Sequence, residues 1–376
     1  MKIVLIGPAY PFRGGISHYT TLLFRHLKIR HKVRFFSFSR QYPQLLFPGK
    51  SDIDHSLTTL QEPGVERILD SMNPITWFHI AKEIIRTKCD VVIIPWWVSF
   101  WAPQFLSISL IVKRFTQAKI LFVCHNVLAH ESRWIDQVLT RSVLKQGDLF
   151  IVHSEEDRQN LMRMLPDTPV RKCFHPTYDI FYSHSDGVEN RDIRVNYGLD
   201  GPVLLFFGFV RKYKGLEFLL KAMPKILEAV PATLIVAGEF WNDKTDYEVL
   251  INNLGIARQV ILLDNYIPNE AVGAFFAAAD LVVQPYISAT GSGVVQMAFG
   301  FNKPVVATTV GSLPEIVEDG RTGFLVPPGD AMAIAEAVIR FFDDAGQPDA
   351  FARNIRDQQY RFSWDHLVDA IEEMAE

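Results

Sequence analysis

Short runs rich in β-branched residues alternate with longer segments of helical period along nearly the whole chain, and the rhythm runs twice. Residues 2–7, 32–37, 91–95, 119–125 and 149–153 read as strands, with helical patterns at 16–28, 104–116 and 155–165. Parallel strands need such helical crossovers, so the alternation argues for a parallel sheet covered on both faces. A polar, turn-rich stretch at 181–200 then breaks the rhythm and reads as an interdomain linker. Strands resume at 203–208, 233–238, 260–263, 281–285 and 304–308, with helical patterns at 214–230, 247–254, 270–278 and 293–299. A chain of 376 residues suits two domains. The expected fold class is therefore α/β, two Rossmann-like doubly wound domains at 1–180 and 190–358. The last segment, 362–374, reads as an amphipathic helix led by Trp364, and 360–376 is expected to pack back on the first domain.

Several classes are excluded. Cys89, Cys124 and Cys173 are widely spaced, which leaves no disulfide framework and no CxxC metal site and fits a reducing cytoplasm. The N-terminal apolar run is too short for a signal-peptide core and reads as a strand. Residues 91–112 hold 22 uncharged positions, long enough to span a bilayer, but Pro95 and Pro103 interrupt them. A buried strand, a Trp-rich loop and an apolar helix fit better. Trp96, Trp97 and Trp101 suit either core packing or a membrane interface. Residues 1–180 carry 23 Lys+Arg against 15 Asp+Glu, a net of +8, and the rest carry −12. The basic half is expected to meet something anionic. Helix 16–28 and its sequel RHLKIRHKVR (25–34) offer a surface for anionic headgroups, a peripheral membrane contact. Nucleic acid is a poor partner, because no recognition motif accompanies the basic residues.

Doubly wound sheets bind ligands where strands end and helices begin. Three such junctions stand out. The first, GPAYPFRGG, closes on Gly14 and Gly15, whose helix start attracts an anion; neither GxGxxG nor GxxxxGK[ST] is present. The second runs from Phe207 to Gly215, where Gly208 precedes Arg211, Lys212 and Lys214, cations suited to a diphosphate that departs as a leaving group. The third, Ser288 to Val295, leaves backbone N–H groups free around Gly291, Ser292, Gly293 and Val294. Read plainly, these are a tight turn, a solvated basic turn and a flexible loop.

With these junctions placed, the chain resembles the retaining family-4 glycosyltransferases (glycosyl transferases group 1), which have two facing Rossmann-like domains, the GT-B fold. The resemblance covers essentially the whole length and rests on GFVRKYKGLEFLLKAMP, NKPVVATTVGSLPEIVEDGRTGFLVPPGD, the Gly14-Gly15 loop, His125-Asn126 and the closing FSWDHL. It implies hexosyl transfer from a nucleotide-diphospho-sugar to a glycan or lipid-linked hydroxyl acceptor, with retention and without a metal or other cofactor. That places the enzyme in polysaccharide or glycolipid biosynthesis, at the inner face of the membrane. It implies further that Arg211 and Lys214 hold the donor diphosphate, that Gly15 and the backbone at 292–294 approach the donor, and that His125 lines the catalytic cleft.

The family's paired glutamates are absent: counting back from Pro304, their positions hold Ala289 and Met297. Gln296 offers an amide but projects about 100° from Met297 on a helix. The missing pair also admits a non-catalytic sugar-nucleotide-binding or scaffold protein, with a nucleotide-sugar epimerase as a third reading. Glu239, at a strand end, either reaches the cleft or faces solvent, and Glu315 either caps a helix or orders the cleft. His130 and Glu131 lack the HExxH spacing of a zinc protease, and Ser154 reads as a helix N-cap.

Overall fold

A computed structural model of the chain describes residues 1–42, 52–56, 60–128, 133–181, 193–241 and 243–376. It divides into two compact units. Unit 1 takes nearly all of the chain up to Phe174 and regains Ser363–Glu376; unit 2 is built on His175–Phe362. Most of the expected linker at 181–200, like His130 and Glu131, lies outside the described residues.

Unit 1 is a parallel sheet of β1 (Lys2–Ile6), β2 (Lys32–Arg40), β3 (Val65–Asp70), β4 (Val91–Trp96), β5 (Lys119–Cys124), β6 (Leu149–Val152) and β7 (Val170–Lys172), in the order β3-β2-β1-β4-β5-β6-β7. Its crossover helices are α1 (Gly15–Arg30), α2 (Pro74–Thr87), α3 (Ala102–Phe115), α4 (Trp134–Leu144) and α5 (Glu155–Met164). Strand order reverses between β1 and β4, so the carboxyl ends of these two strands flank a natural ligand crevice. β1 and β4 to β6 are almost wholly buried, which is why they read as unbroken apolar runs. The uncharged stretch at 91–112 resolves into β4, a short 3₁₀ turn at Ser99–Trp101 and α3. Trp96 and Trp101 are buried in the core. Among the described residues, no helix is long and apolar enough to cross a membrane.

The C-terminal helix, Trp364–Ala375, packs against α1 in unit 1. Ser363 caps it, its hydroxyl accepting the His366 N–H at 3.1 Å. Trp364 lies 5.1 Å from the Tyr19 ring and stacks on His26 at 5.4 Å. Arg30 reaches Asp369 at 2.5 Å and Asp365 at 3.1 Å, and His31 meets Glu372 at 2.8 Å. This pairing engages cations that the expectation of a lipid-facing α1 offers to headgroups. Arg25 and Lys28 both bind Glu62, and Arg34 binds Glu66 and Glu83. Arg25, Lys28, Arg30 and Arg34 of the basic stretch are thus paired within unit 1 while Lys32 is exposed, and α1 from Ser17 to Phe24 is buried.

Unit 2 repeats the plan with β8 (Val203–Phe207), β9 (Thr233–Ala237), β10 (Val260–Leu263), β11 (Leu281–Gln284), β12 (Val305–Thr308) and β13 (Gly323–Val326), in the order β10-β9-β8-β11-β12-β13. Its helices are α6 (Ile193–Tyr197), α7 (Leu216–Leu227), α8 (Lys244–Asn253), α9 (Asn269–Ala278), α10 (Gly293–Gly300), α11 (Leu313–Ile316), α12 (Ala331–Asp343) and α13 (Gln347–Asp357). α7 and α12 pack side by side over a core of Phe206, Leu220, Met223, Ile226, Val338 and Phe341. α6 is no loose tether: Arg194 binds Asp280 at 2.6 Å and donates to the Ala278 carbonyl at 3.0 Å. The same Asp280 carboxylate accepts the Val203 N–H at 2.8 Å, which makes it a structural residue at the foot of β8.

Candidate functional site

The switch point of unit 2 falls between β8 and β11, and the loops leaving those strands carry most of the sequence-predicted residues. After β8 the chain turns at Gly208, with φ of 91°, a conformation that side-chain-bearing residues rarely adopt. A Cβ there would also stand 3.0 Å from the Lys214 Nζ and 3.6 Å from Val294. So the turn glycine, the basic loop and the first turn of α10 converge on one spot.

A 3₁₀ turn at Lys212–Lys214 folds the Lys214 side chain inward, leaving it 8% exposed, while Arg211 stays at the surface. The Arg211 guanidinium lies over the rings of Tyr213 at 5.0 Å and Trp241 at 5.1 Å, which fixes its direction. Burial, and then the nearby Arg211 charge, push the Lys214 amine down to about 8. Its Nζ lies 5.6 Å from the Tyr286 ring. A desolvated cation set beside a free helix start is arranged to receive an anion.

The loop after β11 is held on both sides. The Ile287 N–H donates to the Tyr213 carbonyl at 2.7 Å, and the Ser312 N–H donates to the Thr290 carbonyl at 3.0 Å. Ser292 is the N-cap of α10, its hydroxyl accepting from Val295 N at 3.3 Å and lying 3.2 Å from the Tyr286 hydroxyl. The Tyr178 hydroxyl lies against Gly293, and Ser312 Oγ against Gly291. The first turn of α10 has no acidic residue, so its amide dipoles stay positive. Burial raises the Tyr178 and Tyr286 phenols, keeping both neutral donors. The loop that reads as flexible in sequence is thus a braced nest.

Ala289 is buried and Met297 half-buried, so neither glutamate position supplies a charge. The Gln296 amide is 1% exposed and finds no hydrogen-bond partner among the described residues. Glu239 is 3% exposed, which removes its solvent-facing reading; its carbonyl accepts Val210 N–H at 2.9 Å. Glu315 lies in α11, and its carbonyl accepts from Arg361 at 3.0 Å.

In unit 1, Gly14 is the N-cap of α1 with φ of 115°, and Gly15 opens the helix, exposed and with no acidic residue in the first turn. One turn on, Tyr19 meets the His125 ring edge-on at 4.4 Å. His125 follows β5 and is half-buried, its N–H bonded to the Trp96 carbonyl at 2.8 Å. Its loop is pinned by Asp157, which accepts from Val127 N at 2.7 Å and from the Ser154 hydroxyl at 2.8 Å. Ser154 caps α5, as its sequence position suggests. His153 lies 5.0 Å from His125, with its Nδ1 2.8 Å from the Cys173 carbonyl; burial pushes it down to about 4, so it is neutral. Thus unit 1 gathers Gly14, Gly15 and His125 at the carboxyl end of its sheet, and unit 2 gathers Gly208, Lys214 and the α10 start. Tyr19, Tyr178, Tyr286 and Trp241 complete these constellations. Sequence reading missed them, because lone aromatics near strand ends look like core.

Two family models match the chain. "Glycosyltransferase Family 4" covers residues 13–172 and "Glycosyl transferases group 1" covers 201–344. An uncharacterized glycosyltransferase of Methanocaldococcus jannaschii, MJ1607, is 34% identical over 45% of this chain and 43% of its own. A D-inositol 3-phosphate glycosyltransferase of Corynebacterium aurimucosum is 28% identical over 61% of this chain and 56% of its own. The match thus spans about half the length of these curated relatives. Among solved structures, sucrose-phosphate synthase from Thermosynechococcus elongatus superposes with a TM-score of 0.71 at 19% identity, covering 100% of this chain and 98% of that one. Anabaena Alr3699/HepE in complex with UDP and glucose gives 0.72 at 17%, covering 99% and 98%.

Proposed function

The chain belongs to the group 1, family-4 glycosyltransferases, and on that premise we propose that it moves a hexosyl unit from a nucleotide-diphospho-sugar to a hydroxyl acceptor with retention. The observation that carries this reading is the convergence of Gly208, the buried Lys214 amine and the open start of α10 at one switch point. Unit 2 binds the donor. Lys214, Arg211 and the α10 amides take up the charge that grows on the departing diphosphate, with no metal called for. The UDP complex of a structural neighbour supports a nucleotide-sugar as the donor class.

With Ala289 and Met297 where carboxylates would sit, the step runs without a side-chain nucleophile. The acceptor oxygen forms its bond to the anomeric carbon on the face the diphosphate leaves. The carbon–oxygen bond to phosphate breaks, and the acceptor proton passes to the leaving phosphate oxygen. Unit 1, with His125 at its sheet end, receives the acceptor, a glycan or lipid-linked hydroxyl presented at the cytoplasmic face of a membrane. Free nucleotide released from a panel of UDP- and GDP-sugars, read by mass spectrometry, tests the assignment. Lys214→Ala should lower the rate by about 10²–10³; release at the parent rate would sink the diphosphate role.

The two non-carboxylate positions also favour a second reading, a sugar-nucleotide-binding protein without turnover. Calorimetric binding of the donor, with no nucleotide released over a broad acceptor panel, would select it.

A further inference from the structure

The three neighbouring helices α2, α3 and α4 of unit 1 share an outward pattern that the glycosyl-transfer site does not use. Along α2, exposed positions at helical spacing read Ile75, Phe78, Lys82, Arg86; along α4 they read Trp134, Val138, Arg141, Lys145. α3, packed beside both, offers Leu110 and then Arg114. The α2 and α4 stripes are apolar first and basic at their ends, while α3 carries Leu110 at mid-helix and ends on exposed Lys113, Arg114 and Phe115. The apolar members are well exposed: Ile75 is 76% exposed, Phe78 59%, Leu110 50%, Trp134 75% and Val138 53%.

Successive right-handed crossovers place α2, α3 and α4 on one face of the sheet, all antiparallel to the strands. Their first turns therefore lie at the carboxyl end of the sheet, the end that holds Gly15 and His125. Ile75, Phe78, Trp134 and Val138 form an apolar band toward that end; Leu110 lies behind it at mid-helix, and the cations sit further back with the exposed Phe115 among them. Basic last turns also answer the helix dipoles, but exposed Ile75 and Trp134 in first turns, with Phe78 just behind, have no such local reason. Every exposed Asp, Glu, Lys or Arg described on these helices is basic. Their two acids are engaged inside the unit, Glu83 with Arg34 and Arg86, and Asp136 with Ser99.

The geometry points to this face as a docking surface for an anionic lipid bilayer, the apolar band entering the headgroup boundary and the cations meeting phosphates behind it. The inference rests on the transfer reading only for what the membrane supplies, a lipid-linked acceptor delivered beside His125; the binding stands without it. It sets beside the basic stretch at 25–34, most of whose cations are paired, a second face on which Lys82, Arg114, Arg141 and Lys145 are exposed, Arg86 pairs with Glu83 and Lys113 pairs with Asp148.

The test is sedimentation of the full chain with phosphatidylcholine vesicles, with and without phosphatidylglycerol. The parent should pellet with the anionic vesicles only. Phe78→Ser/Trp134→Ser/Val138→Ser and Arg114→Glu/Arg141→Glu/Lys145→Glu should each weaken that binding about tenfold or more. Both should keep the parent's melting midpoint and its nucleotide release in solution. A parent that stays in the supernatant, or variants that pellet equally, overturns the proposal. So does a dimer in sedimentation velocity that the serine variant dissolves without any vesicle binding, since a second copy would then own the face. Vesicle binding with no nucleotide release on any donor supports this proposal and overturns the transfer reading instead.

Discussion

Lys214 is held where its charge is costly. Its folded value of about 8 lies below the ordinary 10.5, so burial penalises the cation. Through that window the unfolded chain keeps a proton the folded chain has lost, and stability rises with pH from 8 to 10.5. Below pH 8 the penalty is present in full. Lys214→Met should raise the unfolding free energy of unit 2 at pH 7 by up to about 3 kcal/mol, and flatten that rise, while abolishing donor turnover. Urea denaturation at pH 7 and pH 9.5 reads both effects; a lowered midpoint would contradict them. His153 acts with the same sign in a lower pH window. It is buried neutral at about 4 against an ordinary 6.5, so the unfolded chain binds the extra proton as pH falls from 6.5 to 4. Stability conferred by the neutral ring is complete above pH 6.5 and drains over that interval. His153→Gln should make the acid side of the unit 1 stability curve shallower, and an unchanged slope would count against it.

Among the elements, the C-terminal helix is the clearest case of a partner supplied from far along the chain. Trp364 is 3% exposed and touches the rings of Tyr19 and His26. Trp364→Ala should cost unit 1 about 3–5 kcal/mol and loosen the Tyr19 contact to His125; near-parent stability by chemical denaturation would show that the helix is dispensable. This helix was legible from its apolar stripe and leading Trp, as were β10 at Val260–Leu263 and the buried β4. The strand β3 was not, because Glu66 and Arg67 interrupt its apolar pattern on a half-buried edge strand. α2 escaped with it. At the site, Gly208, Lys214 and the α10 nest were readable from strand-to-helix order. Tyr178 and Tyr286 were not, since their roles come from contacts with Gly293 and Ser292 that only the fold creates. The ion pairs of the basic run at 25–34 were not legible for the same reason: its partners Glu62, Asp365, Asp369 and Glu372 are remote in sequence.

At the scale of the molecule, the proposed donor-binding unit belongs to the acidic half, −12 from residue 181 onward, so an anionic donor is held by local features against the average field. Six of the seven tryptophans, all but Trp241, belong to unit 1, so tryptophan emission mainly follows that unit. Nucleotide at about a hundred times its Kd should stabilise unit 2 by about 2.7 kcal/mol. The expected result is a shift in the melting of the circular dichroism signal that exceeds the shift in tryptophan emission; the reverse would move the donor to unit 1. A last consequence follows from Ser363–Glu376 belonging to unit 1. On the ribosome, the stretch 175–362 emerges with its six strands before Trp364 does. The earlier-made unit must wait through all of that synthesis with the Tyr19 side of α1 uncovered, a window for chaperone capture that its neighbour escapes. Of the two units, unit 1 is begun first and completed last.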